Sequence, residues 1–192
     1  PVHLIEKEAE LGGFACKLHR RIPSAPPYET TQSSDLSELT GDVEEDGNIT
    51  IHKSTTIASI SGQPGDFTVQ LNGGSSDSLR IGSIVLATGG KPYDASKLTH
   101  LGIAHDNVIT SVAFEEMAAT GKIVNKDGKE ARSVAFIQCA GSRDANHLPY
   151  CSSFCCTVSL KQAAYVREAN PEAKAYIIYR DMITPGQYES FY

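Results

Sequence analysis
An α/β fold is predicted from three features of this 192-residue chain. Residues 1–7 form an apolar run that ends in Glu6 and Lys7, the pattern of a strand closing on an acid. Residues 81–86 form a largely apolar run that leads straight into Ala87, Thr88, Gly89 and Gly90, the pattern of a strand buried on both faces that ends in a tight turn. Residues 133–138 form a third apolar strand, followed after a cysteine-bearing loop by a helical pattern over 157–170. In open α/β sheets the carboxyl ends of such strands are where ligands bind.

The intervening segments are read in chain order. Gly12 and Gly13 follow the first strand and let the backbone approach a ligand closely. Residues 34–45 are predicted as a helix capped by Ser34 or Asp35. Residues 49–52, 55–60 and 67–71 alternate as strands, with turns at 62–65 and 72–74, and together suggest a small β-meander over about 48–72. The polar stretch 121–132 is the expected boundary between a first domain, 1–120, and a second, 121–192. Within the helix at 157–170, Val158, Leu160, Ala164, Tyr165 and Ala169 are the candidates for its buried side.

Four of the five cysteines, Cys139, Cys151, Cys155 and Cys156, lie within eighteen consecutive residues between the strand and that helix. One thiol ends the strand and three are expected to open the helix, with Cys151 and Cys155 one turn apart on the same face. Thiolates are soft ligands, and four of them complete either a tetrahedral zinc site or a [4Fe-4S] cluster. No Cys-x-x-Cys knuckle is present, and adjacent cysteines splay their sulfurs, which suits several irons better than one small ion. A disulfide and simple buried packing remain alternatives; a disulfide framework fits poorly in a chain of this size without a signal peptide. A helix N-terminus at 151–156 would favour the negative charge of a thiolate-bound cluster. Among the six histidines His147 is the one placed near the thiols. Tyr150 and Phe154 are expected to shield them from water, and Arg143 either to neutralise cofactor charge or to form a loop salt bridge. Cys16 reads as a helical core cysteine.

Composition narrows the classes. A net charge of −6, with 40% hydrophobic residues, gives an acidic chain with no basic stripe for nucleic acid. No apolar stretch approaches the length of a membrane span, so membrane contact is expected only through partners, and the cysteine usage suits a reducing, anaerobic cytoplasm. In a dinucleotide-binding unit the acid at the end of the second strand holds the adenosine ribose, and a Gly-x-Gly-x-x-Gly turn lies upstream of it. Glu6 fits that acid. The upstream turn is absent from the sequence, so the chain is expected to be a fragment that begins in mid-fold. Residues 139–143 stand where a second glycine fingerprint would be, which argues against nicotinamide binding there.

Glu6 and Lys7, then Gly12 and Gly13, then Ala87, Thr88, Gly89 and Gly90 occur in the order seen in flavoproteins with two dinucleotide-binding domains, the thioredoxin-reductase-like group, and the chain resembles their FAD domain. That resemblance implies FAD, with backbone near Thr56 and Ile57 at the adenine and Ala87, Thr88 and Gly89 along the phosphate end. The segments 136–144 and 150–156, with the tail 179–186, are similar to the A subunit of heterodisulfide reductase. This implies that Cys139, Cys151, Cys155 and Cys156 hold a [4Fe-4S] cluster in the second, pyridine-nucleotide-like domain. It also implies an oxidoreductase subunit that passes electrons between FAD and the cluster. The cysteine-free segment 21–29 departs from the typical members of that family and brings the chain nearer the A-like B subunit of the quinone-interacting membrane-bound oxidoreductase of sulfate reducers. The partners so implied are iron-sulfur and quinone-interacting subunits, with the chain cytoplasmic and peripheral on a membrane-bound complex.

Overall fold
Short runs of apolar and β-branched residues separated by glycine, proline and polar turns make most of the strands of this protein short. The computed structural model describes residues 1–73 and 78–192. In chain order its elements are β1 (Val2–Ile5), β2 (Arg20–Arg21), β3 (Gln32–Ser33), α1 (Leu36–Glu45), β4 (Ile49–His52), β5 (Thr56–Gln63), β6 (Asp66–Asn72), β7 (Ser78–Ile81), α2 (Ser111–Ala119), β8 (Ser133–Ile137), α3 (Cys155–Ala169) and β9 (Lys174–Ile178). The architecture is mixed α/β. Two compact units divide it: Pro1–Cys16 with Asp35–Lys91, and Lys17–Ser34 with Pro92–Tyr192. This packing division precedes α2, ahead of the boundary expected within 121–132; the assignment of cofactor domains to 1–120 and 121–192 belongs to the proposal below.

In the first unit β1 pairs with β4 in parallel, from Val2 opposite Ile49 to Ile5 opposite His52. Parallel neighbours require a crossover, and α1 lies between them in sequence with Asp35 at its N-cap. Residues 49–52 therefore belong to a parallel pair and not, as expected, to the meander. The meander is β5–β6–β7, antiparallel throughout. Val69 and Leu71, two residues apart on β6, point to the same face and are buried there. The expected turn at 62–65 closes the β5–β6 hairpin, with Gln63 opposite Asp66. Pro64 sets one φ and Gly65 supplies the positive φ of 93° that follows. Gly74, in the other expected turn, lies outside the described residues.

Gly62 has φ +96°, and a Cβ there would collide with the backbone oxygen of Asp66. Gly62→Ala is expected to destabilise the hairpin by about 2 kcal/mol or more, read by urea unfolding, because both the φ and the contact are unfavourable. A loss below ~0.5 kcal/mol would show that the hairpin relaxes at no cost.

The apolar run 81–90 does not form the doubly buried strand expected of it. Only Ile81 enters a strand, as the end of β7, and residues 83–90 carry no regular structure. Val85 is 88% exposed and Leu86 80%. A strand exists by its ladder hydrogen bonds, and among the described residues 83–90 have no strand beside them to supply these.

The second unit is built on β8–α3–β9. β8 and β9 pair in parallel from Ser133 opposite Lys174 to Ile137 opposite Ile178. Phe114, Ala118, Ile123, Phe136, Tyr165, Val166 and Ala173 form its buried cluster, with Phe114 and Phe136 edge to face at 5.3 Å. The N-cap Thr110 of α2 accepts from the Ala113 N–H, as its residue type predicts. The buried side of α3 differs from that read from its apolar residues. Tyr165 is buried, but Val158, Leu160 and Ala164 are half-buried and Ala169 is exposed; the fully buried positions include Thr157, Ser159, Lys161 and Gln162.

The reason is a buried polar network facing α2. Lys161 Nζ lies 3.0 Å from Glu115 Oε1, with side chains 2% exposed on both partners. Gln162 Nε2 donates to the same oxygen at 2.8 Å, and the His19 N–H donates to Glu115 Oε2 at 3.0 Å. Lys161 also donates to the carbonyl of Arg20 at 2.7 Å, so the pair fastens the segment Lys17–Ser34 to this unit. Burial pushes the Lys161 ammonium below its ordinary pKa, with the Glu115 carboxylate opposing that shift.

Candidate metal centre
β8 delivers Gln138 and Cys139 to the end of the parallel pair, where the Gln138 N–H still donates to the Ile178 carbonyl at 2.9 Å. The chain then reverses. Cys139 has φ 56°, Arg143 φ 54° and Ser153 φ 63°; these are three of the five non-glycine residues with positive φ among the described residues. Each costs about 1–3 kcal/mol and persists only where the surroundings hold it, so strain is concentrated on this loop.

The loop is held by its own backbone. Leu148 N–H donates to Gly141 O at 3.2 Å, Asp144 N–H to Leu148 O at 3.1 Å and Arg143 N–H to Tyr150 O at 3.0 Å, which folds residues 141–150 back upon themselves. Gly141, at φ +84°, lies against the ring of Tyr93, where a Cβ would come within 2.5 Å of Cδ1. The Tyr93 hydroxyl is 2.7 Å from His147 Nδ1, and His100 stacks on His147 with centroids 5.7 Å apart. His147 is thus engaged by Tyr93 and His100.

Cys155 and Cys156 open α3, and Cys156 is buried. Cys151 does not share the helix with them, as the spacing had suggested: it lies in the preceding loop, and the positive φ of Ser153 keeps the helix from starting earlier. The Ser153 N–H donates to Cys151 Sγ at 3.3 Å. Burial pushes the Cys156 thiol above its ordinary pKa; the Ile183 backbone N–H opposes this, and charge on Cys155 and Cys139 adds to the rise. The first helical bond is Val158 N–H to Phe154 O, and Phe154 at the N-cap offers no side-chain acceptor. The positive end of α3 is thus directed to Cys155 and Cys156.

A second loop, after β9, closes on the thiols. Cys156 Sγ lies 3.8 Å from the Asp181 carbonyl, and the Asp181 carboxylate binds Arg143 at 2.7 Å. That hydrogen bond chiefly raises the Arg143 pKa, with a smaller contribution from the Cys139 thiol beside it. Arg143 thus both makes the loop salt bridge and lies beside a thiol. Asp181 and Ile183 lie in the tail 179–186 that carries the family resemblance, but their place beside the thiols depends on β9 returning the chain next to β8. Tyr150 and Phe154 are 61% and 60% exposed and do not shield the thiols. Cys16 is exposed too, on a short 3-10 turn (Gly13–Lys17), with Sγ donating to the Leu11 carbonyl at 3.5 Å; it is not a core cysteine.

Among the described residues no three His, Cys, Asp or Glu side chains converge at single-ion distances. The donor set nonetheless suits a thiolate-bound cluster: thiols, a cation beside one of them, and a helix N-terminus at two. One further observation agrees. Ser152 Oγ, between Cys151 and Cys155 in the chain, is buried with no hydrogen-bond partner.

The residues expected to bind FAD lie in the first unit. Glu6 ends β1, where its carboxylate accepts the Glu8 N–H at 2.8 Å and its carbonyl accepts from Thr55 at 2.9 Å. That second bond brings Thr56 and Ile57, the exposed start of β5, next to the end of β1. Lys7 pairs with Glu8 at 3.4 Å on the surface. Gly12 has an internal reason to be glycine, since a Cβ would lie 2.7 Å from Cys16 Sγ; Gly13, at φ +50°, faces open space. Ala87, Thr88 and Gly89 are exposed in the irregular segment after β7. Lys53 bridges Glu10 at 3.1 Å and Glu44 at 2.7 Å, a structural role.

No family model matches the chain. It is 37% identical over 126 residues to an iron-sulfur A subunit of the CoB–CoM heterodisulfide reductase of Methanopyrus kandleri, and 39% identical over 123 residues to the corresponding iron-sulfur A subunit of Methanocaldococcus jannaschii. It is 28% identical over 141 residues to a protein of Archaeoglobus profundus named as similar to the A subunit of heterodisulfide reductase. Each match covers 59% of this chain and 19%, 19% and 20% of the respective relative. The chain thus spans about a fifth of the length of these curated relatives.

Proposed function
We propose that this chain is part of an electron-transfer subunit of a multi-subunit oxidoreductase, carrying a [4Fe-4S] cluster and FAD. The observation that supports it most is the placement of Cys155 and Cys156 at the positive end of α3, with Cys139 at the end of β8 and Cys151 in the loop between. It occurs in a chain similar to proteins named iron-sulfur subunits. When bound, the cluster exchanges single electrons and the flavin one or two, so the pair can join two-electron to one-electron chemistry.

The residues themselves have defined tasks in this reading. Cys139, Cys151, Cys155 and Cys156 ligate the cluster. Arg143 and the N-terminus of α3 offset thiolate charge, and the Ser153 N–H supports Cys151. Glu6 receives the adenosine ribose and Lys7 lies beside it. Gly12 and Gly13 shape the adjoining turn, Thr56 and Ile57 border the adenine, and Ala87, Thr88 and Gly89 follow the phosphates. Residues 1–120 then act as the FAD domain and 121–192 as the start of a second, pyridine-nucleotide-like domain.

The partners are other iron-sulfur and quinone-interacting subunits, as in a heterodisulfide-reductase-like or quinone-linked sulfate-reduction complex. The absence of cysteine from 21–29 supports the second of these, the A-like B subunit of the quinone-interacting oxidoreductase. No helix of the described residues is long and apolar enough to cross a membrane. In this reading the chain is cytoplasmic and reaches the membrane through its partners.

The test is an elemental count on anaerobically purified protein. Iron and acid-labile sulfide in equal amounts, about four of each per chain, together with extractable FAD, are expected. One zinc without sulfide would replace the redox reading with a structural metal. Flavin reduced directly by NADH would reinstate nicotinamide binding.

A further inference from the structure
The cysteine loop contains a buried polar atom that no hydrogen-bond partner among the described residues satisfies. Ser152 Oγ is out of water and without a hydrogen-bond partner. It lies between Cys151, whose Sγ accepts the Ser153 N–H, and Cys155 at the start of α3. A buried hydroxyl left unpaired opposes folding, and in native proteins such a group marks a partner that the chain alone does not provide. Gln138 Oε1 and Gln162 Oε1 are also buried without partners, but a carbonyl oxygen only accepts. A hydroxyl donates, and a thiolate-bound cluster presents sulfurs that only accept.

We propose that the Ser152 hydroxyl donates a hydrogen bond to a sulfur of the cluster held by Cys139, Cys151, Cys155 and Cys156, and so raises the reduction potential of that centre. The inference rests on the cluster reading above and adds a residue that sets its electron affinity. Reduction places one more negative charge on the iron and sulfur atoms; no proton moves and no bond is made or broken. A donor aimed at sulfur stabilises the reduced form more than the oxidised one, which shifts the potential upward.

The experiment compares Ser152→Ala, Ser152→Thr and Ser152→Val in the full chain, purified anaerobically. Iron and sulfide are counted first, and the potential is then read from the electron paramagnetic resonance signal during a redox titration. Ser152→Ala is expected to keep the wild-type iron and sulfide content and titrate at a more negative potential. Ser152→Thr, which retains the hydroxyl, is expected to return to the wild-type potential, whereas Ser152→Val, of equal size without the donor, stays low. If Ser152→Ala does not assemble a cluster, the Thr and Val pair decides. Equal potentials in Thr and Val would overturn the role of Ser152 while leaving the cluster in place. A wild-type chain without iron and sulfide would overturn the cluster reading itself, and this proposal with it.

Discussion
Cys155→Ser is expected to abolish the cluster, with loss of about four irons and four sulfides per chain, while Cys16→Ser leaves both unchanged. The contrast follows from where the two thiols lie. Cys155 stands at the first position of α3, next to the buried Cys156; Cys16 is exposed in the other unit, bonded weakly to the Leu11 carbonyl. An oxygen ligand is harder than sulfur, and replacing one thiolate of four removes a soft corner of the donor set. Iron, sulfide and the visible absorption of the two variants, measured side by side, decide the matter. Equal iron in both would detach the metal from this loop and move the search for electron carriers to partner chains.

The second large effect concerns stability. Lys161→Met is expected to cost about 3–5 kcal/mol in urea unfolding, because it leaves the Glu115 carboxylate buried without its cation. The double variant Lys161→Met/Glu115→Gln is expected to recover part of the loss, since no lone charge remains and the amide oxygen can still accept from one of the two donors, Gln162 or the His19 N–H. The same contacts hold the segment Lys17–Ser34, so limited proteolysis within it should accelerate in the single variant. A penalty below ~1 kcal/mol, with proteolysis unchanged, would mean that the pair is no more than a surface-grade contact.

The elements of this protein differ in how far its sequence alone specifies them. The four late cysteines were legible from spacing and chemistry, and so were the strand before them, the helix after them and the Pro64–Gly65 hairpin turn. Each is a local matter: a thiol's softness, a period of two or 3.6 residues, and a φ that proline fixes or glycine permits. The acid at the end of β1 was legible for the same reason.

What was not legible required partners distant in sequence. Residues 49–52 alternate like a meander strand yet pair with β1, because register and neighbour are settled by the sheet and not by the strand. The run 81–86 is largely apolar, but apolarity makes no ladder, and Val85 and Leu86 remain exposed. Lys161 and Gln162 look like a solvated helix face until α2 sets Glu115 against them. Ser153, by adopting φ 63°, takes Cys151 off the helix that its four-residue spacing from Cys155 had implied. Asp181 reaches Arg143 only because β9 runs parallel to β8 and returns the chain to the same end of the sheet. Residue type and spacing thus determined which chemistry this chain can carry. Tertiary pairing decided which groups meet, since burial and hydrogen bonding are properties of neighbours in space.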